Sequence, residues 1–133
     1  MRILLVDDDS GVVQALLAVL KTLPEHEVRT ASVGGEALSA MAKMGGVDLL
    51  ITDVVMPGLT GVELARQLLL ERPSLAVLFI SGFTFEESVP VTDLKAKTAY
   101  LPKPFDTKVL AAKVHQLLVA SAKASGSPVM ASG

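Results

Sequence analysis

Leu49-Leu50-Ile51-Thr52-Asp53, followed after Val54-Val55 by Met56-Pro57-Gly58, is the stretch on which the fold turns. Four apolar or β-branched residues in a row suit a strand buried on both faces, which is the habit of parallel sheets. The run ends in a carboxylate, and Pro-Gly then breaks the chain. Other runs end in the same manner. Ile3-Leu4-Leu5-Val6 leads into Asp7-Asp8-Asp9, Val77-Leu78-Phe79-Ile80 into Ser81-Gly82, and Ala99-Tyr100-Leu101 into Lys103-Pro104-Phe105. If these are parallel strands of one open sheet, their polar ends gather at its carboxyl edge, where open α/β sheets place their sites.

Strands are expected near 2–7, 27–31, 48–53, 76–81 and 98–102. Segments of helical spacing separate them. Val12, Leu16, Leu20 and Leu23 form one apolar stripe, with Ser10 placed to cap it. Ala37, Met41 and Met44 form a second, stopped by Gly45-Gly46. Leu64, Ala65 and Leu68 mark a third that ends by Pro73, and Leu110, Val114, Leu117 and Leu118 mark the last, starting near Asp106 or Thr107. Strands alternating with helices give an α/β fold, a three-layer (βα)5 arrangement with a parallel sheet covered on both faces. Right-handed crossovers leave few topologies, and the flavodoxin-like order 2-1-3-4-5 is one of them. The fourth helix is expected over 83–95 and to be short, broken or mobile, because Pro90 removes a donor and turns Val89 from helical angles. The folded domain is expected over 1–121, with 122–133, small and polar, as a flexible C-terminal tail.

The composition sets bounds on function. One domain of 133 residues can bury a real core, and with 50% hydrophobic but only 4% aromatic residues that core must be aliphatic. Twelve basic against 14 acidic residues leave a net charge of −2, with no Lys/Arg block to suggest a nucleic-acid partner. The absence of cysteine excludes disulfides, thiolate metal sites and a cysteine nucleophile, and fits a cytoplasmic protein. Residues 1–7 read as a strand rather than as a charged-then-apolar leader, and no run approaches the ~18 apolar residues of a membrane span. No G-x-G-x-x-G or G-x-x-x-x-G-K-[ST] occurs, so nucleotide binding has no support, and Gly34-Gly35 reads as a helix entry.

Three adjacent carboxylates repel one another unless a cation or solvent relieves them. A bunched Asp7-Asp8-Asp9 is therefore poor for stability and good for metal, and oxygen ligands with retained waters suit Mg²⁺. Asp9 alone is equally well explained as a helix start favoured by the macrodipole. With Ser81 and Lys103 the set suits a hard cation and a phosphoryl group, Asp53 being the acceptor. His26 and His115 read as solvated surface residues.

The ordered series Val6-Asp7-Asp8-Asp9, Asp53-Val54-Val55-Met56-Pro57-Gly58, Ser81-Gly82 and Lys103-Pro104-Phe105 resembles the receiver domain of two-component response regulators, over roughly residues 2–120. The stretch Leu78–Thr84 further resembles receivers attached to hybrid histidine kinases. The resemblance implies the flavodoxin-like strand order 2-1-3-4-5 and a phosphorylation-controlled signalling switch in a two-component system or phosphorelay. Such a domain is no enzyme in the ordinary sense, since it catalyses only its own phosphorylation and dephosphorylation. Asp53 would accept the phosphoryl group from a phosphohistidine on a sensor histidine kinase or histidine phosphotransfer protein. Asp8 and Asp53 would bind Mg²⁺ directly, Asp7 through water, and Val55 through its backbone carbonyl. Lys103 would pair with Asp53 and then with the phosphoryl group, aimed by a cis bond at Pro104. Ser81 would donate to a phosphoryl oxygen and Tyr100 would turn inward, remodelling a face of the fourth helix, fifth strand and last helix that meets a downstream protein.

Two positions depart from the polar residues common in fast-cycling relatives: Val55 and Phe83, each two residues beyond a site residue, are apolar. Neither orients an attacking water, so a long-lived phosphorylated state is expected. Two rival functions compete with this reading. A phosphatase of the haloacid dehalogenase type would use Asp7-x-Asp9, Ser81 and Lys103, but would leave Asp53 idle and lack its acidic pair after the lysine. A phosphate-independent interaction module would not need all five site positions filled.

Overall fold

The computed structural model describes residues 2–21, 27–31, 34–54, 60–72, 74–81, 97–102 and 105–124. Within them lie β1 (Arg2–Val6), α1 (Ser10–Leu20), β2 (Glu27–Ala31), α2 (Gly34–Met44), β3 (Leu49–Asp53), α3 (Gly61–Glu71), β4 (Ala76–Ser81), β5 (Lys97–Pro102) and the last helix, α4 (Thr107–Ala124). The five strands form one parallel sheet in the order β2-β1-β3-β4-β5. This is the flavodoxin-like order expected.

Strand alternation explains why the apolar runs are unbroken. Leu4, Val6, Leu50, Val77 and Phe79 point to one face, where α2 and α3 cover them with Ala37, Met41, Leu64 and Leu68. Ile3, Leu5, Leu49, Ile51, Leu78 and Ile80 point to the other, where α1 and α4 bring Leu16, Leu20, Leu110 and Val114. Central strands therefore carry apolar residues in unbroken runs, at 3–6, 49–51 and 76–80, and each buried Leu or Ile contributes about 1.5–3 kcal/mol by leaving water.

Local chemistry decides where the helices begin and end. Asp9, not Ser10, caps α1. Its backbone is extended, and its Oδ1 accepts from the N–H groups of Gly11 and Val12 at 2.9 and 3.3 Å. A carboxylate both fills the orphan donors and meets the positive end of the helix dipole, which a hydroxyl does less well. Thr60 and Glu63 form a capping box at the start of α3. Asp106 accepts from Lys108 N–H at 2.7 Å at the start of α4. Gly45 and Gly46, at φ 72° and 123°, end α2. Helix α4 continues to Ala124 and so takes in residues 122–124, expected in the tail, where alanines favour helix.

Asp48 gathers the amino edge of the sheet. It accepts from Arg2 N–H at 2.8 Å and from Arg72 Nη2 at 2.6 Å, and its carbonyl accepts from Ala76 N–H at 3.1 Å. At one side of the sheet β2 presents Glu27 and Arg29, half-exposed and 3.5 Å apart. At the other, β5 begins with Lys97 and ends with Pro102. No helix among the described residues is long and apolar enough to cross a membrane. The expected fourth helix over 83–95, together with Leu23, His26, Val55, Phe83, Lys103 and Pro104, lies outside the described residues.

Candidate functional site

Register brings the strand ends together. Val6 of β1 pairs with Thr52 of β3, so Asp7 follows one and Asp53 the other on neighbouring strands. Asp53 pairs in turn with Ile80, and Ser81 ends β4 opposite Pro102. Asp7, Asp53 and Ser81 thus terminate three consecutive strands at the carboxyl edge, as the sequence anticipates. Of the Ser81 side chain only the strand position is described.

One carboxylate oxygen from each of Asp7, Asp8 and Asp53 lies within 4.8 Å of the others. The three differ in setting: Asp7 is 4% exposed, Asp53 half-buried and Asp8 exposed. Asp7 is held at both ends, its N–H donating to Ala31 O at 3.1 Å and its Oδ1 accepting from Asp9 N–H at 2.8 Å. Asp9 is spent on the α1 cap and takes no place in the cluster. An open depression of about 300 Å³ adjoins it, lined in part by Asp7, Asp8, Ser10, Gln14 and Glu36. An all-oxygen donor set with one buried and one solvent-facing carboxylate fits a hard divalent cation that keeps several waters. Bringing three negative charges this close also favours such a cation electrostatically.

Tyr100 sits half-buried on β5 opposite Phe79, with ring centroids 5.7 Å apart and planes 18° from parallel. It packs against the face covered by α2 and α3. Burial raises its phenol pKa above the usual value. His115 is exposed on α4, as expected of a surface residue.

Two residues at the site were not singled out from sequence. Thr52 is buried, and its hydroxyl donates to the Asp53 carbonyl at 2.9 Å. Gly61 starts α3 so close to β3 that a Cβ there would overlap the same carbonyl oxygen. Its N–H donates to Val54 O at 2.9 Å. Thr52 reads as one more β-branched strand residue, and Gly61 as a loop residue after Pro57-Gly58. Only the Thr60-x-x-Glu63 signature hinted that a helix starts there.

A parallel sheet of this order, with acidic residues closing its first and third strands, defines a flavodoxin-like fold with a carboxylate site at its carboxyl edge. The profile of the response regulator receiver domain matches residues 3–115, and the chain belongs to that family. It is 36% identical over 117 residues to the sensor kinase CckA of Brucella abortus, covering 87% of this chain and 12% of that protein. It is 32% identical to the response regulator receiver protein CpdR of the same organism, covering 90% and 98% of the two chains. To the cell cycle response regulator CtrA of Brucella ovis it is 30% identical, spanning half of that protein's length. Among solved structures, the receiver domain of the hybrid histidine kinase CckA superposes with a TM-score of 0.74 at 35% identity, covering 89% and 99% of the two chains. A CheY-like receiver from Methanospirillum hungatei gives 0.79 at 28% identity, with 92% and 96% covered. The protein is a two-component receiver domain in signal transduction, and the phosphatase alternative falls away.

Proposed function

We propose that this receiver domain takes a phosphoryl group onto Asp53 from a phosphohistidine and so switches the partner it engages. The donor would be a sensor histidine kinase or a histidine phosphotransfer protein, a reading supported by the likeness to the CckA receiver. A carboxylate oxygen of Asp53 attacks phosphorus, and the new P–O bond forms as the P–N bond to the donor imidazole breaks. The imidazole leaves with the bonding pair and regains its proton from solvent. The product is an acyl phosphate, later returned to aspartate by water.

Asp8 and Asp53 would hold Mg²⁺ directly, Asp7 through water, and the Val55 carbonyl would complete the protein's share. When bound, the ion supplies charge neutralisation that lets one anion approach another. Lys103 adds a positive charge on the phosphoryl oxygens, and Ser81 a hydrogen-bond donor. Pro104, as a cis proline, would aim the lysine. Movement of Ser81 and Tyr100 then biases a two-state equilibrium at the face of the 83–95 segment, β5 and α4, where a downstream protein would dock. Val55 and Phe83 would keep attacking water from the acyl phosphate and lengthen its life. We place this activity in the cytoplasm, with no nucleic-acid or membrane partner.

The observation that carries the reading is the convergence of Asp7, Asp8 and Asp53 oxygens within 4.8 Å at the carboxyl edge of the sheet. The test is intact mass after incubation with acetyl phosphate and Mg²⁺. A gain of about 80 Da, one phosphoryl group, that needs Mg²⁺ and is lost in Asp53→Ala is expected. No adduct on folded, Mg²⁺-binding protein would replace this reading with a phosphate-independent interaction module.

A further inference from the structure

Among the described residues the buried polar side chains are Asp7 and Thr52. Asp7 belongs to the carboxylate cluster, whereas Thr52, at 1% exposure, points to the α3 side of the sheet. A valine of the same shape would serve strand and core equally well. What threonine adds is one hydroxyl, and burying a hydroxyl costs free energy unless it is hydrogen-bonded. Here it donates to the backbone carbonyl of the acceptor residue itself, Asp53, at 2.9 Å.

That carbonyl is the last of β3, where the ladder ends and the chain leaves the sheet. The opposite contact comes from α3. Gly61 lies against the same oxygen without room for a Cβ, and also against Thr52 Oγ1, 3.1 Å from where a Cβ would stand. The Gly61 N–H holds the next carbonyl, that of Val54, at 2.9 Å. The peptide joining Asp53 to Val54 is therefore gripped by one side-chain hydroxyl and by the first residue of a capped helix.

We propose that Thr52 is a positioning residue for phosphoryl transfer: its hydroxyl fixes the Asp53 peptide, and through it the direction of the acceptor carboxylate. This rests on Asp53 being the acceptor. In-line attack on phosphorus demands that a carboxylate oxygen be held along one line, and small misplacement is costly in rate. A freely rotating Asp53 peptide would spread that oxygen over several orientations. Thr52 itself touches neither phosphorus nor metal; it acts through Asp53, which also faces the cation, so its loss lowers the maximal rate far more than it weakens cation binding.

The test compares wild type, Thr52→Val and Thr52→Ser by initial phosphorylation rate with acetyl phosphate across a Mg²⁺ titration, with urea unfolding of each. In Thr52→Val the rate at saturating Mg²⁺ should fall roughly tenfold while half-saturating Mg²⁺ shifts by no more than about twofold. Thr52→Ser, which keeps the donor and loses only a methyl, should recover to within about twofold of wild type. If Thr52→Val loses its cooperative unfolding transition, Thr52→Ala removes the donor in its place. A wild-type maximal rate without the hydroxyl overturns the proposal, as does a serine variant as slow as valine or a change confined to Mg²⁺ affinity. If wild type itself gains no phosphoryl group on Asp53, the acceptor reading fails and this proposal fails with it.

Discussion

Replacing Gly61 with alanine sets two rules against each other. Helix propensity favours alanine over glycine by up to about 1 kcal/mol, and the residue opens an α-helix. Sterics oppose it. A Cβ there would overlap the Asp53 carbonyl oxygen and stand 3.0 Å from its carbon and 3.1 Å from Thr52 Oγ1. The obstacle is mostly backbone of a central strand, so the helix start must retreat by on the order of 1 Å to restore ordinary contact. Retreat breaks or stretches the 2.9 Å bond from Gly61 N–H to Val54 O, worth about 1 kcal/mol. The overpacking itself costs about 1–3 kcal/mol. After the propensity gain, Gly61→Ala should lose about 2 kcal/mol, a fall in Tm of roughly 5–10 °C for a domain of this size. Thermal and urea unfolding at fixed pH and ionic strength measure it. A variant as stable as wild type, or more so, would show that α3 does not press on β3 as described.

The other predictions concern single side chains. Asp9→Ala should cost about 1 kcal/mol of stability by urea unfolding while leaving Mg²⁺ affinity nearly intact. Asp8→Ala should do the reverse, weakening Mg²⁺ binding at least roughly tenfold without destabilising the metal-free protein; exchanged phenotypes would mean that cap and ligand are misassigned. Burial raises the Tyr100 pKa, so the folded state keeps a proton that the unfolded chain has lost above the ordinary value of 10.0. That contribution is complete below pH 10.0 and fades as pH rises through the folded value, so Tyr100→Phe should show a shallower alkaline loss of stability. Equal alkaline slopes for the two proteins would refute it. The double variant Val55→Asn, Phe83→Glu should lose phosphate several-fold faster than wild type by intact-mass time course; an unchanged half-life removes those residues as guards of the acyl phosphate.

What could be read from the chain alone was whatever rests on period and order. The apolar runs at 3–6, 49–51 and 77–80 announce doubly covered strands, and each ends one or two residues before its site group. Helical stripes such as Leu110, Val114, Leu117 and Leu118 proved buried, because a period of 3.6 survives any tertiary arrangement. The acidic cluster was legible for the same reason: strand ends in a parallel sheet share an edge. Contacts set by the approach of two elements were not. Thr52 and Gly61 are nine residues apart, and nothing in their spacing says that one helix start will rest on one carbonyl. The choice of Asp9 over Ser10 as cap was half legible: Asp9 reads as a helix start, but both residue types cap helices and a shift of one residue decides between them.

The two flanks of the sheet carry a consequence for how copies of this domain can meet. Glu27 and Arg29 on β2, and Lys97 and Pro102 on β5, occupy the outermost strands. Charge on an outer strand, and a proline without an amide hydrogen, make poor templates for a further strand. A signalling protein can be abundant and crowded, and an open sheet would otherwise invite chain-to-chain polymerisation. Here the described residues of both flanks disfavour extension of the sheet. Pairing of receivers is thereby steered toward helices and loops, the surfaces that the proposed phosphorylation would reshape, and so toward contacts that can be reversed.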